Sequence, residues 1–233
     1  MNIAVISDLH LGSGDTADNF GHSEGDFLRF LSKLESDFDR IVLLGDVWET
    51  LTAHRLFDSR EGLRRAREAH SALAYRFERD KYLYIHGNHD LVAASEGVPE
   101  EVVLDVNGVR LLFTHGHGHD WLVRRAQWLS ESLVWLGAWV RRCGLNAVYR
   151  FGYLLDNALS KPPTQCLKDT FQAWAFSLAK SRQADVVVTG HTHVAMRSER
   201  DSRLFLNSGS CSEGKISYLA IETRSDRYEV HVA

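Results

Sequence analysis

Cysteine and proline are scarce, with three of each in 233 residues. Cys143, Cys166 and Cys211 are far apart, odd in number and never part of a CxxC pair. This excludes a disulfide framework and a zinc–thiolate site, and it fits a reducing, cytoplasmic compartment. A long apolar run is also missing: no uncharged stretch reaches the roughly 18 residues that a membrane-spanning helix needs. The segment from Met1 to Asp8 lacks the basic start and small-residue cleavage site of a signal peptide, and reads instead as a buried first strand. Positive charge is in no surplus. The 27 Lys and Arg face 31 Asp and Glu for a net charge of −4, so dedicated nucleic-acid binding is not expected.

What remains, 44% hydrophobic and 25% charged, is the composition of a globular chain long enough for a substantial core. β-rich runs at Ile3–Ser7, Ile41–Leu44 and Tyr82–His86 alternate with helical spacing over Glu24–Ser36 and Glu61–Arg79. That βαβαβ order predicts an α/β sheet. Val102–Val106 and Val109–Thr114 flank Asn107-Gly108, the signature of a type I′ hairpin. From 121 to 182 the pattern turns helical, with three helices expected at about 121–143, 146–160 and 164–182. Strands return at Asp185–Val188, Leu204–Asn207, Tyr218–Glu222 and Tyr228–Val232. The expected organisation is one domain over residues 1–233 with a helical insertion, or lid, at 121–182.

The chemistry-bearing residues sit where the strands end. Asp8-Leu9-His10 follows the first run, and on an extended chain residues i and i+2 point to the same side. Gly45-Asp46 closes the second run and places a carboxylate, able to bridge two cations, at a sharp turn. Gly87-Asn88-His89-Asp90 closes the third, and an Asp beside a His can hold its ring. His115, His117 and His119 alternate with glycine after the hairpin, and Gly190-His191-Thr192-His193 follows a later strand. Seven of the twelve histidines fall in these motifs. Open α/β sheets bind ligands at the carboxyl ends of their strands, so the motifs should converge on one crevice. An oxygen-and-nitrogen donor set without thiolate suits Mn²⁺, Fe, Zn²⁺ or Co²⁺ better than Ca²⁺. Seven donor residues filling eight positions, with a carboxylate counted twice as a bridge, exceed one tetrahedral ion but suit two ions, a device for phosphoryl chemistry.

The ordered series Asp-x-His, Gly-Asp, Gly-Asn-His-Asp, His-Gly and Gly-His-x-His resembles the calcineurin-like metallophosphoesterases, and it spans residues 8 to 193. The resemblance implies a four-layer α/β/β/α sandwich and two divalent metal ions, Mn²⁺ foremost. One ion would be held by Asp8, His10, Asp46 and His193. The other would be held by Asp46, Asn88, His115 and His191, with Asp46 as the bridge. It further implies attack on phosphorus by a hydroxide between the ions. His89, oriented by Asp90, would stabilise the developing charge or protonate the leaving oxygen.

Two features narrow the resemblance. The Gly-Asp-Val-Trp-Glu stretch at 45–49 and the helical insertion are similar to the UDP-2,3-diacylglucosamine diphosphatases of bacterial lipid A synthesis. The best-known branch of those enzymes carries Arg at the place of His89. The implied partner is a phosphorylated small-molecule or lipid-linked substrate. In the insertion Trp121, Trp128 and Trp135 recur every seven residues, with Trp139 one turn on. That spacing suits either a helix packed on the core or an apolar wall for a lipid or nucleobase. Trp48, His117, Arg124, Arg125 and Trp128 are candidate substrate contacts. The arginines also allow a peripheral contact with the inner membrane. The alternatives are a phosphodiesterase or phosphatase acting on nucleotides, nucleic acid or phosphoprotein, and a non-catalytic metal-binding scaffold.

Overall fold

The computed structural model describes residues 1–119, 125–145, 164–225 and 227–232. Among the described residues ten strands form two mixed sheets. The first, in the order β10-β9-β1-β2-β3, contains β1 (Asn2–Ile6), β2 (Arg40–Leu44), β3 (Tyr82–Ile85), β9 (Ser217–Glu222) and β10 (Arg227–Val232). The second, in the order β4-β5-β6-β8-β7, contains β4 (Glu101–Val106), β5 (Val109–Thr114), β6 (Val186–Thr189), β7 (Met196–Arg200) and β8 (Arg203–Asn207). In each sheet three adjacent strands run parallel: β1, β2 and β3 in one, with β3 at the edge, and β5, β6 and β8 in the other.

Apolar residues on both faces of the central strands explain why each sheet is covered twice. In β1, Ile3 and Val5 enter the core between the sheets, with Val42, Leu44, Leu111, Phe113, Val186 and Val188. Their neighbours Ala4 and Ile6 face the opposite way, into a second core formed with helices α1 (Glu24–Asp37), α2 (Ser59–Ala69) and α3 (Ser71–Phe77). A third core lies outside the second sheet, where Leu112, Val187 and Phe205 meet Phe171, Ala175 and Ala179 of a helix at Thr164–Ser181. The layers therefore run helix, sheet, sheet, helix, as the resemblance implies.

The structure refines the expected elements at several points. The helix expected over Glu61–Arg79 breaks at His70, which leaves the helical region and whose imidazole meets Asp18 at 3.2 Å. Strand β7 has no hydrophobic alternation and escaped the sequence pattern; it is an edge strand held by pairing with β8. Asn107 and Gly108 both take positive φ, 53° and 83°, as a type I′ turn requires. The insertion divides in role. A helix at Gln127–Arg142, here α4, stands apart from the sheets, whereas the helix at Thr164–Ser181, here α5, is the fourth layer itself rather than part of a lid. The helix expected at 146–160 lies outside the described residues.

A polar network ties three elements of the first half together. Arg76 of α3 donates from Nε and Nη2 to the two oxygens of Glu35 in α1, each at 2.6 Å. Tyr82 of β3 donates to the same carboxylate at 2.6 Å. The Arg76 guanidinium and the Tyr82 hydroxyl outweigh burial and hold the Glu35 pKa at about 2. Because the folded value lies below the usual 4.5, the stabilisation is present above pH 4.5 and is lost as pH falls toward 2. Glu35→Gln should lower stability by about 1–2 kcal/mol at neutral pH. Urea unfolding at pH 7 and in acid checks this: the gap between variant and wild type should shrink in acid, and an undiminished gap would contradict it.

Candidate metal centre

The parallel strands of both sheets deliver their carboxyl ends to one place, and the backbone there turns sharply. Asp8, His10, Asp46, His191 and His193 all take left-handed φ angles between 50° and 67°. L-residues rarely adopt this region, and each such turn costs about 1 kcal/mol or more, so five in one site mark a geometry enforced by its surroundings. Asp8 and His10 therefore converge by successive turns, not through the alternation of an extended chain. The enforcing contacts continue the β1–β2 pairing past the strand ends. The Asp8 N–H donates to Gly45 O, His10 N–H to Asp46 O and Leu11 N–H to Val47 O, each at 3.0 Å.

Two glycines make the room. A Cβ at Gly45 would lie 2.3 Å from the His115 ring, and one at Gly87 would lie 2.2 Å from an Asp46 carboxylate oxygen. Any side chain at either position would displace a candidate ligand.

The donors form two groups at the proposed ligand positions. In one, Asp8, His10 and His193 each offer an atom within 4.8 Å of the others; in the other, Asp46, His115 and His191 do the same. His10, Glu49 and His89 form a third cluster beside them. His10 Nε2 faces His193 Nε2 at 3.4 Å and Asp46 Oδ2 at 3.9 Å. His193 Nε2 stands 3.1 Å from Asp8 Oδ1, and His115 Nε2 stands 3.2 Å from Asp46 Oδ2. These approaches lack hydrogen-bond alignment at two key atoms. Asp8 Oδ1, His115 Nε2 and Asn88 Oδ1 are buried polar atoms with no hydrogen-bond partner among the described residues. A buried donor atom left without a partner costs about 1–3 kcal/mol, which a bound cation would remove. The opposite side of two of these ligands is satisfied: His115 Nδ1 donates to Leu44 O at 2.8 Å, and Asp8 Oδ2 accepts from the Ser7 hydroxyl and from the His191 N–H. Such outer contacts aim a ligand at its metal.

The electrostatics point the same way. Burial alone would strip His115 of its proton, but the Asp46 and Asp8 carboxylates raise its pKa to about 9. Asp8 likewise raises the His193 pKa against burial. A pocket negative enough to protonate buried imidazoles favours a divalent cation, and the carboxylate, amide and imidazole donors suit a metal of the Mn²⁺, Fe, Co²⁺ or Zn²⁺ kind.

His89 and Asp90 are placed differently from expectation. The Asp90 carboxylate does not orient His89. It accepts from the backbone N–H groups of Asp46, Val47, Trp48 and Gly87 and from the Tyr84 hydroxyl, and so pins the turn that carries Asp46. The partner of His89 is Glu49, whose Oε2 lies 2.8 Å from His89 Nδ1. Burial lowers the His89 pKa, but Glu49 and Asp46 raise it to about 10, so the ring favours its protonated form. Glu49 was not among the sequence candidates. Its position three residues after Asp46 is the signal that could have found it, since the bridge between Leu11 and Trp48 carries it back beside His10.

The other sequence candidates divide. Trp48 is not at the substrate: it is 3% exposed, in the core beneath α2 and α3, edge-on to Phe77 with the Arg67 guanidinium 5.9 Å above it. His117 is buried behind His115, where burial and the neighbouring imidazole push its pKa down to about 3. His119 packs on Phe171 and Trp174 of α5. Arg124 lies outside the described residues. Arg125 is exposed, and Trp128 is 64% exposed on α4.

A cavity of about 620 Å³ opens over the centre. His10, Glu49, His89 and His193 line one side, and Leu133, Val134, Leu136 and Val140 of α4 line the other. Two arginines dock α4 above it: Arg142 bonds to Asp15 at 2.8 Å and to Thr52 O, and Arg141 bonds to Asn19. Among the described residues, the face that α4 turns to the centre is thus mostly apolar, with Arg141 as the charged residue of α4 that lines the cavity while also anchoring the helix.

Comparison with known proteins follows the geometry. The family model described as calcineurin-like phosphoesterase matches residues 1–195. A protein of Photorhabdus laumondii named UDP-2,3-diacylglucosamine hydrolase is 28% identical over 213 residues, covering 81% of this chain and 80% of that protein. One of the same name from Escherichia coli is 27% identical over 213 residues, covering 83% of this chain and 82% of that protein. The crystal structure of Chaetomium thermophilum Vps29 shares the fold at a TM-score of 0.53 and 14% identity, over 100% of this chain and 92% of that one.

If Asp90 anchors the Asp46 turn, Asp90→Ala leaves several buried N–H groups without an acceptor and should cost about 3–5 kcal/mol of stability. Denaturant unfolding measures this; a loss below about 1 kcal/mol would show that the turn holds itself.

Proposed function

Since this chain belongs to the calcineurin-like phosphoesterase family, the metal-dependent phosphoesterases, we propose that it cleaves a phosphoester or pyrophosphate bond at a dinuclear centre bridged by Asp46. The observation that carries this reading is a pair of donor groups, one containing Asp46 and the other reaching it through His10 at 3.9 Å, with buried donor atoms left without partners among the described residues. Asp8, His10 and His193 would hold one divalent cation with Asp46. Asn88, His115 and His191 would hold the other with the same Asp46. Mn²⁺ is the proposed metal. When bound, two such cations activate water and neutralise charge on phosphate oxygens.

The chain's own residues supply the rest. His89, kept protonated beside Glu49, offers a donor to a phosphate oxygen or to the departing oxygen as the bond breaks. The walls around it decide which substrate fits. One side of the cavity is ionic and the other is the largely aliphatic face of α4 with Arg141, so a suitable substrate carries a phosphate group next to apolar chains. An acylated nucleotide sugar with a diphosphate link, such as UDP-2,3-diacylglucosamine, has that form, and the names of the relatives support it. Trp128 and Trp139 are exposed on α4 near the exposed Arg125, a grouping suited to a lipid–water boundary. This would bring the cavity to an acylated substrate from the cytoplasmic side. No helix among the described residues is long and apolar enough to cross a membrane.

Purified protein with Mn²⁺ should hydrolyse both bis(p-nitrophenyl) phosphate and UDP-2,3-diacylglucosamine. Exhaustive chelation or Asp46→Asn should lower both rates by at least ~10²-fold. Full turnover after metal removal would overturn the mechanism. Leu136→Asp separates the substrate question. It should raise KM for the acylated substrate about tenfold or more while leaving the small diester unaffected. Equal effects on both substrates, or faster turnover of cyclic nucleotides or phosphopeptides, would remove the lipid assignment and leave the phosphoesterase.

A further inference from the structure

We infer that Glu49 is a positioning residue that sets two histidines at once, His10 on the metal side and His89 on the substrate side. The inference rests on the proposed metal centre and extends it to a residue outside the ligand set. Glu49 is 2% exposed, and each of its carboxylate oxygens is engaged. Oε2 accepts from His10 Nδ1 at 3.1 Å and from His89 Nδ1 at 2.8 Å, while Oε1 accepts from the Leu51 N–H at 3.1 Å. The backbone fixes the carboxylate: Glu49 N–H donates to Leu11 O at 2.9 Å, next to His10. The two imidazoles meet edge-on over it, with centroids 4.6 Å apart and planes at 88°.

The consequence is one of tautomers. A carboxylate that accepts from Nδ1 keeps the proton on that nitrogen. For His10 this frees the Nε2 lone pair, which faces His193 Nε2 at 3.4 Å, for a shared cation. For His89 it leaves Nε2 as the atom presented to the cavity that the ring lines. One oxygen thus links metal retention to the orientation of the proton donor. Losing Glu49 should loosen both, and its effect on turnover should overlap with that of losing His89.

The test uses the full chain as wild type, Glu49→Gln, Glu49→Ala, His89→Ala and the Glu49→Ala/His89→Ala double variant. Mn²⁺ affinity is read by titration calorimetry, and kcat on bis(p-nitrophenyl) phosphate is read at saturating Mn²⁺. Glu49→Ala should weaken Mn²⁺ binding by ~10–100-fold, whereas His89→Ala should leave it within about twofold. Glu49→Gln, which keeps one acceptor oxygen, should fall between Ala and wild type. Glu49→Ala and His89→Ala should each lower kcat by about 10²-fold or more, and the double variant should fall little below His89→Ala. Unchanged Mn²⁺ affinity in folded Glu49 variants, or kcat losses that multiply in the double variant, would overturn the inference. If neither Glu49 variant folds, ring ¹⁵N spectra of the wild type decide. Protons on Nδ1 of both His10 and His89 support the inference, and an Nε2–H tautomer of neutral His10 overturns it. Failure of the phosphoesterase reading would appear in the wild type, as absent Mn²⁺ binding and absent turnover; failure of the Glu49 role appears only in these comparisons.

Discussion

Two carboxylates, Asp8 and Asp46, are buried side by side where the sheets end, and the site is arranged around their mutual repulsion. Burial raises the pKa of both, and Asp46 raises that of Asp8 further. Both nevertheless lie below the ordinary carboxylate range because imidazoles surround them. Buried charge of this density persists only when compensated. The histidines compensate in part, and divalent cations would do so more completely. This constraint accounts for the orphaned ligand atoms, the glycines that make room and the strained turns.

Those turns are costly, and the fold supplies the means to hold them. The strand pairing of β1 with β2 continues through Asp8, His10 and Leu11 after the regular strands have ended. Asp90 gathers the N–H groups of the opposite turn. Asn207, at the end of β8, bonds to Gly190 O and Thr189 Oγ1 and fixes the segment before His191 and His193. Rigid parallel strands on both sides of the centre thus carry residues that would not adopt these angles on an isolated peptide. The catalytic geometry and the sandwich architecture are one construction.

Helix α4 stands in a different relation to the fold. Among its described residues Ala138 is the hydrophobic it buries, while Leu133, Leu136 and Trp139 remain exposed. What binds it in place is polar, through Arg141 and Arg142 to the loop at residues 13–20 and to Thr52. Held at one end by arginines, the helix lays a mostly aliphatic wall over an ionic centre, with Arg141 as the charge in that wall. Apolar exposure of this extent is unusual unless something occupies it.

The sequence by itself determined all but one of the described strands of the sandwich and the residues gathered at their ends, because apolar runs and Gly-Asp or Gly-His turns are local patterns. Burial on both faces of β1 and β2 was implicit in their unbroken hydrophobicity. Partnership was not legible. Nothing local says that Asp90 serves the backbone of Asp46, that Glu49 lies against His10 and His89, or that Trp48 turns inward to Phe77 and away from the substrate. Each of these depends on segments distant in sequence meeting in space. Strand β7 and the layer role of α5 were hidden for the same reason, one being held by its neighbour and the other defined by the sheet it covers. The donors to the centre were therefore written in the chain, while their aim, their charge state and the shape of the space above them were decided only when the two sheets closed against each other.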